Sequence, residues 1–118
     1  MGGRGEQAPR KRSASLDGAE GKHKTVYSKR GEYKFEYDIA KSKKNKEKHG
    51  IDFEEARELW DDNQKVKIKS TYENEPRELV IAKRGEDVLV AVTTNRGENV
   101  RIISVRRARD YEVDSYGK

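Results

Sequence analysis

Val100-Arg101-Ile102-Ile103-Ser104-Val105-Arg106-Arg107-Ala108 is an apolar run framed by arginines. Its branched residues favour an extended strand, and the polar segment after it, residues 106 to 115, reads as a terminal helix. A strand holds its side chains still, so guanidinium groups placed on it can grip phosphate oxygens and stabilise charge developing there. Strict alternation puts Arg101, Ile103 and Val105 on one face and Ile102, Ser104 and Arg106 on the other. Both arginines then meet on one side only through a bulge or the turn into the next helix.

Upstream, Val88-Leu89-Val90-Ala91-Val92 is continuously apolar, as in a central strand buried on both faces. Leu79-Val80-Ile81 and the alternation of Val66 and Ile68 with lysines supply two more strands. The connections Arg84-Gly85-Glu86-Asp87 and Asn95-Arg96-Gly97-Glu98 are short and turn-like, which favours antiparallel neighbours.

Before the strands the period is helical. Phe35-Glu36-Tyr37-Asp38 reads as a short extended segment whose last residue caps a polar helix over 39 to 49, which Gly50 ends. Lys41, Lys44, Asn45 and Lys48 recur at three- and four-residue spacing and share one face, either a solvated cationic face or a phosphate-tracking one. Asp52 followed by Glu55 is a capping-box pattern opening a second helix, whose stripe of Phe53, Ala56, Leu59 and Trp60 faces the core. The expected fold is α+β: two N-terminal helices, an antiparallel sheet of about four strands, and a C-terminal helix.

The chain of 118 residues suits one small domain, but only 31% is hydrophobic and 42% is charged, so the apolar residues must be concentrated to form a core. They lie mostly after residue 32. Residues 1 to 32 are rich in Gly, Ser and basic residues and are expected to be a disordered tail, with 33 to 118 as the folded domain. Arg10-Lys11-Arg12-Ser13-Ala14-Ser15 within it is read as solvated basic chain. The net charge of +5 and pI near 9.4 favour an anionic partner, nucleic acid or an acidic protein, although a lysine-rich soluble protein has the same balance. Zero cysteines exclude disulfides, thiol chemistry and Cys-ligated zinc. No stretch approaches the roughly 20 apolar residues of a membrane span, and an unexported, cytoplasmic protein is expected.

Several of these segments, in this order, carry a resemblance. Phe35-Glu36-Tyr37-Asp38, Lys41, Asn45, Lys48-His49-Gly50-Ile51, Phe53-Glu54-Glu55-Ala56, Arg77, the stretch from Arg101 to Ala108, Glu112 and Tyr116 are together similar to the pattern of BrnT toxins. The resemblance spans about residues 33 to 116. Tyr37 departs from it, standing where many members carry tryptophan, as does the long N-terminal tail. It implies a RelE-like fold, ribonuclease activity within a type II toxin–antitoxin module, and neutralisation by the antitoxin BrnA, with DNA engaged only through that partner.

Checked against the residues, such an activity needs no metal and no cofactor. His23 and His49 are the only imidazoles, they lie in different segments, and no carboxylate cluster has ligand spacing. Metal-free RNA cleavage uses the ribose 2′-hydroxyl as nucleophile, with a base for its proton, cations for the phosphorane and an acid for the leaving oxygen. His49 is the candidate acid or base because imidazole titrates near neutral pH, the alternative being a cation stabilised at a helix C-terminus. Arg77, Arg101 and Arg106 are the candidates for gripping the scissile phosphate, against surface ion pairing with glutamates. Lys41, Lys44, Lys48 and Arg96 are expected along the RNA, with Tyr116 stacking on a base or packing its own helix. The competing class is a non-catalytic RNA-binding or protein-interaction module using the same basic surface.

Overall fold

The computed structural model describes residues 24 to 117, and the expectation for residues 1 to 23 lies outside that range. The chain forms one mixed sheet of six strands in the order β1-β2-β6-β5-β4-β3. The strands are β1 (Thr25–Arg30), β2 (Tyr33–Asp38), β3 (Val66–Tyr72), β4 (Glu75–Arg84), β5 (Asp87–Arg96) and β6 (Asn99–Arg107). Helix α1 (Ile39–His49) follows β2, a one-turn α2 (Phe53–Ala56) runs into a 3-10 segment (Arg57–Asp61), and α3 (Asp110–Ser115) ends the fold.

This corrects the expectation of two N-terminal helices before a four-stranded antiparallel sheet. A hairpin precedes the helices, and its second strand joins β6 in parallel through Lys34, Glu36 and the residue between them. Physically, β1 escaped the reading because it is an edge strand whose residues alternate exposed and half-buried, so it needs little apolar content. It lies inside the stretch expected to be tail. Gly31, at φ +60, sits first in its two-residue turn, where glycine enters the left-handed region without a Cβ clash. β6 also runs on through Arg107, so the terminal helix starts at Asp110 rather than near residue 106. The second helix is shorter than its stripe suggested: Phe53, Ala56 and Leu59 are three apart, the repeat of a 3-10 turn.

Local signals elsewhere act as their chemistry dictates. Asp38 accepts from the backbone N–H groups of Ala40 and Lys41, and Asp52 and Glu55 close a reciprocal capping box. One face of the sheet wraps α2 and the 3-10 segment, burying Phe35, Tyr37, Phe53, Leu59, Trp60, Val80, Leu89, Ile102 and Val105. The Phe35 and Trp60 rings meet edge-on at 4.9 Å. The sheet curls so far that Lys67 of β3 stands 5.4 Å from the Tyr33 ring of β2.

Asn45 is buried rather than part of a cationic face. Its amide nitrogen donates to the carbonyls of Ile51 (2.8 Å) and Val105 (3.0 Å), and its carbonyl accepts from the Val105 N–H (3.1 Å). Past Arg101, where β2 no longer pairs with β6, Asn45 thus takes the place of a neighbouring strand. Asn45→Ala should cost about 2–4 kcal/mol, because it strands buried backbone donors and acceptors, whereas Lys44→Ala should change stability by less than about 0.5 kcal/mol. Thermal denaturation of the two variants tests this, and equal melting temperatures would contradict it.

Candidate nucleic-acid interface

The site rests on one irregularity in β6. Val92 pairs with Ser104 but Thr93 pairs with Ile102, so Ile103 is the extra residue of a bulge. Residues paired across an antiparallel ladder share a face. Arg101 lies opposite Thr94, Ser104 opposite Val92 and Arg106 opposite Val90, and these three β5 residues alternate onto one side. The bulge therefore brings Arg101 and Arg106 to the same face, while Ile102 and Val105 both point into the core. Thr94 and Val90 are four residues apart, which separates the two arginines by about 13 Å.

Arg77 joins them. It is the next residue along from the Glu78–Thr93 pair, which sets it beside Thr94, and it pairs with Ser70 on the other side. A polar row consequently crosses the sheet: Tyr27, Glu36, Arg101, Thr94, Arg77, Ser70. With neighbouring strands about 4.8 Å apart, the backbones at Arg101 and Arg77 are roughly 10 Å from each other.

Each arginine has a carboxylate partner. Arg101 Nη1 donates to Glu36 Oε2 at 2.6 Å, and Asn99 Nδ2 donates to Glu36 Oε1 at 3.1 Å. Burial alone would raise the Glu36 carboxyl, but hydrogen bonds from Asn99 and Arg101, with help from the charge of Arg96, hold it below the ordinary carboxylate range. Arg106 grips Glu112 with both ends of its fork, at 2.7 and 2.8 Å. Glu112 is 1% exposed and also accepts from the Arg109 N–H at 2.7 Å. Its hydrogen bonds to Arg106 outweigh the burial that opposes ionisation and bring its pKa down to about 2. Arg77 donates from Nη2 to Glu75 at 3.0 Å and lies 4.9 Å over the Tyr72 ring. Its Nε is buried with no hydrogen-bond partner, beside a cavity of about 350 Å³ also lined by Lys69, Thr94 and Asn95.

The other expected residues are spread more widely. Lys41, Lys44, Lys48 and His49 are exposed along α1, which lies against β6 through Asn45. His49 is one helical turn, about 6 Å, beyond that anchor. Arg96 is exposed at the end of β5, two residues from Thr94 and so on the arginine face. Tyr116 is elsewhere: its hydroxyl donates to Asp62 Oδ2 at 2.6 Å, and the same oxygen accepts from the Lys83 N–H at 2.9 Å. Lys83 is six residues along β4 from Arg77, about 20 Å away. Glu36, Asn99 and Thr94 were missed as site residues because nothing in a linear sequence announces a cross-strand partner. Among the described residues no group of three or more His, Cys, Asp or Glu side chains is arranged to hold a metal ion. No helix among them is long and apolar enough to cross a membrane.

A face of fixed arginines on a small basic domain fits a protein that acts on nucleic acid. The family described as ribonuclease toxin, BrnT, of type II toxin-antitoxin system matches residues 37–112. That match defines the class, a ribonuclease toxin whose module pairs it with an antitoxin protein. The chain belongs to the BrnT family. A comparison with curated proteins found no match. The family match begins at Tyr37 and ends at Glu112, so β1 lies before it and Tyr116 beyond it.

Glu112 ties acid stability to this face. Its folded pKa of about 2 lies below the ordinary value of 4.5, so its contribution is complete above pH 4.5 and is lost as pH falls toward 2. The loss amounts to no more than about 3 kcal/mol, at 1.36 kcal/mol per unit. Melting temperature measured across this window should fall more steeply in the unmodified protein than in Glu112→Gln. Parallel profiles would show that the Arg106–Glu112 pair does not carry the dependence.

Proposed function

We propose that the protein is a metal-independent endoribonuclease that cleaves RNA through the ribose 2′-hydroxyl, using the arginine face of its sheet. The observation that carries this reading is the bulge at Ile103, which aligns Arg101 and Arg106 on the side that also bears Arg77. In the reaction the 2′-oxygen bonds to the adjacent phosphorus as its proton passes to a base. The bond from phosphorus to the 5′-oxygen then breaks as an acid protonates that oxygen, leaving a 2′,3′-cyclic phosphate and a 5′-hydroxyl.

Arg101 and Arg77 grip the non-bridging oxygens, where negative charge accumulates. Arg101 engages Glu36 through one nitrogen, and a guanidinium has five N–H donors, so the carboxylate orients the group without using it up. Arg106, its fork held by Glu112, contributes field rather than direct contact. His49 serves as acid or base from α1, while Lys41, Lys44, Lys48 and Arg96 follow the RNA backbone. Tyr116, tied to Asp62, stands outside the proposed site. The protein works in the cytoplasm, restrained by a BrnA-like antitoxin, and meets DNA only through that partner. The pairing of Arg101 and Arg106 with glutamates also favours a second reading, a non-catalytic RNA-binding module in which the arginines are structural.

Purified protein incubated with end-labelled RNA in EDTA should generate 2′,3′-cyclic or 3′-phosphate ends. Cleavage that requires added magnesium, or 3′-hydroxyl products, would contradict the mechanism, and salt-dependent binding without scission would establish the second reading. Arg77→Ala should slow cleavage by about 100-fold, the scale of losing an oriented charge at a transition state, with little change in melting temperature because its partner Glu75 is partly exposed. Arg101→Ala should slow cleavage as much and also lower the melting temperature, because it leaves the buried Glu36 carboxylate without its charged partner. Expression of the chain should arrest bacterial growth, and co-expression of the antitoxin should restore it.

A further inference from the structure

The first hairpin carries an arrangement that the folding of the chain does not explain. Lys29 of β1 and Lys34 of β2 are directly paired. Like charges set opposite each other on one face repel and destabilise the pair. Relief is slight: Lys34 reaches Glu98 at 3.3 Å, but their side chains are 54% and 85% exposed, and such pairs contribute little. Among the described residues no carboxylate forms an ion pair with Lys29. Lys34 pairs in turn with Asn99, and Asn99 with Arg96. A second row, Lys29, Lys34, Asn99, Arg96, therefore lies beside the row containing Glu36, Arg101 and Arg77, about 7 Å from it.

Tyr27 stands at the end of the arginine row, next to the lysines, on the same face. It is 69% exposed, the most exposed large hydrophobic residue described. A cavity of about 290 Å³ beside it is lined by Lys29, Lys34 and Asn99. An open aromatic ring next to a cation pair with only one exposed carboxylate partner is suited to single-stranded nucleic acid, in which each unit offers a flat base and a charged phosphate.

Resting on the reading of the chain as an RNA-cutting enzyme, we infer that Tyr27, Lys29 and Lys34 form an RNA subsite that binds a nucleotide flanking the scissile phosphate. The base stacks on Tyr27 and the phosphodiester sits between the two lysines. Tyr27, Lys29 and Lys34 all precede the stretch matched by the family, which begins at Tyr37 within β2. It binds and orients substrate and takes no part in proton transfer.

The test uses the full chain and a short single-stranded RNA blocked by 2′-O-methyl groups, with affinity read by fluorescence anisotropy over a range of salt concentrations. Tyr27→Ala should weaken binding roughly 10-fold, within the range for losing one stacked base, and Tyr27→Phe should restore it. Lys29→Gln with Lys34→Gln should weaken binding and reduce the salt slope by about 0.7, the value for one phosphate on a single strand, without lowering the melting temperature. With cleavable RNA, both changes should raise KM and leave kcat near normal. Unchanged affinity and slope in variants of a chain that binds RNA would overturn the subsite and leave the nuclease reading intact. RNA bound through these residues but never cut would do the reverse. Variants that bind RNA normally but escape the antitoxin would assign the hairpin to the protein partner and overturn the inference.

Discussion

The extra residue at Ile103 fixes what each side of the sheet is for. Without it, Ile102 and Val105 could not both reach the core, and Arg101 and Arg106 could not both face away from it. The apolar residues supply the driving force for this geometry, since a buried aliphatic side chain is worth roughly 1.5–3 kcal/mol. The arginines accept the position that remains. Buried or nearly buried glutamates then hold them there: Glu36 reaches across from β2 and Glu112 from α3. A break in alternation thereby turns core packing into a fixed array of cations.

The same constraint explains the position of α1. Past Arg101 the edge of β6 has no strand beside it, and the Asn45 amide supplies both a donor and an acceptor to Val105. That contact brings the lysine-bearing helix, with His49 at its end, alongside the strand that carries the arginines. Cations from a helix and from a sheet are thus joined by one buried, neutral side chain.

Much of this was legible in the sequence where the signal is local. The caps at Asp38 and Asp52, the glycine turns and the meander of β3 to β6 follow from short-range chemistry. The parallel pairing of β2 with β6 was not legible, because it joins residues more than sixty positions apart with the helices and the meander between them. β1 was hidden by its polarity, and Asn45 by its place among lysines on a helix too polar to show a buried side. Alternation gave the wrong face for one of the two arginines, and a bulge leaves no mark on the residues that form it. At the candidate site, Arg101 and Arg106 stood out by their setting in an apolar strand and Arg77 through the family resemblance, whereas the glutamates that pair with them required the fold.

RNA that lies across the arginine face, as proposed, must perturb the residues of that row. In an NMR titration of the labelled protein with single-stranded RNA carrying a 2′-deoxy sugar at the cleavage position, the largest shifts should fall at Arg77, Thr94, Arg96 and Arg101, with smaller ones along α1. Shifts confined to the surface around Asp62 and Tyr116, with the arginine row unmoved, would contradict the proposal.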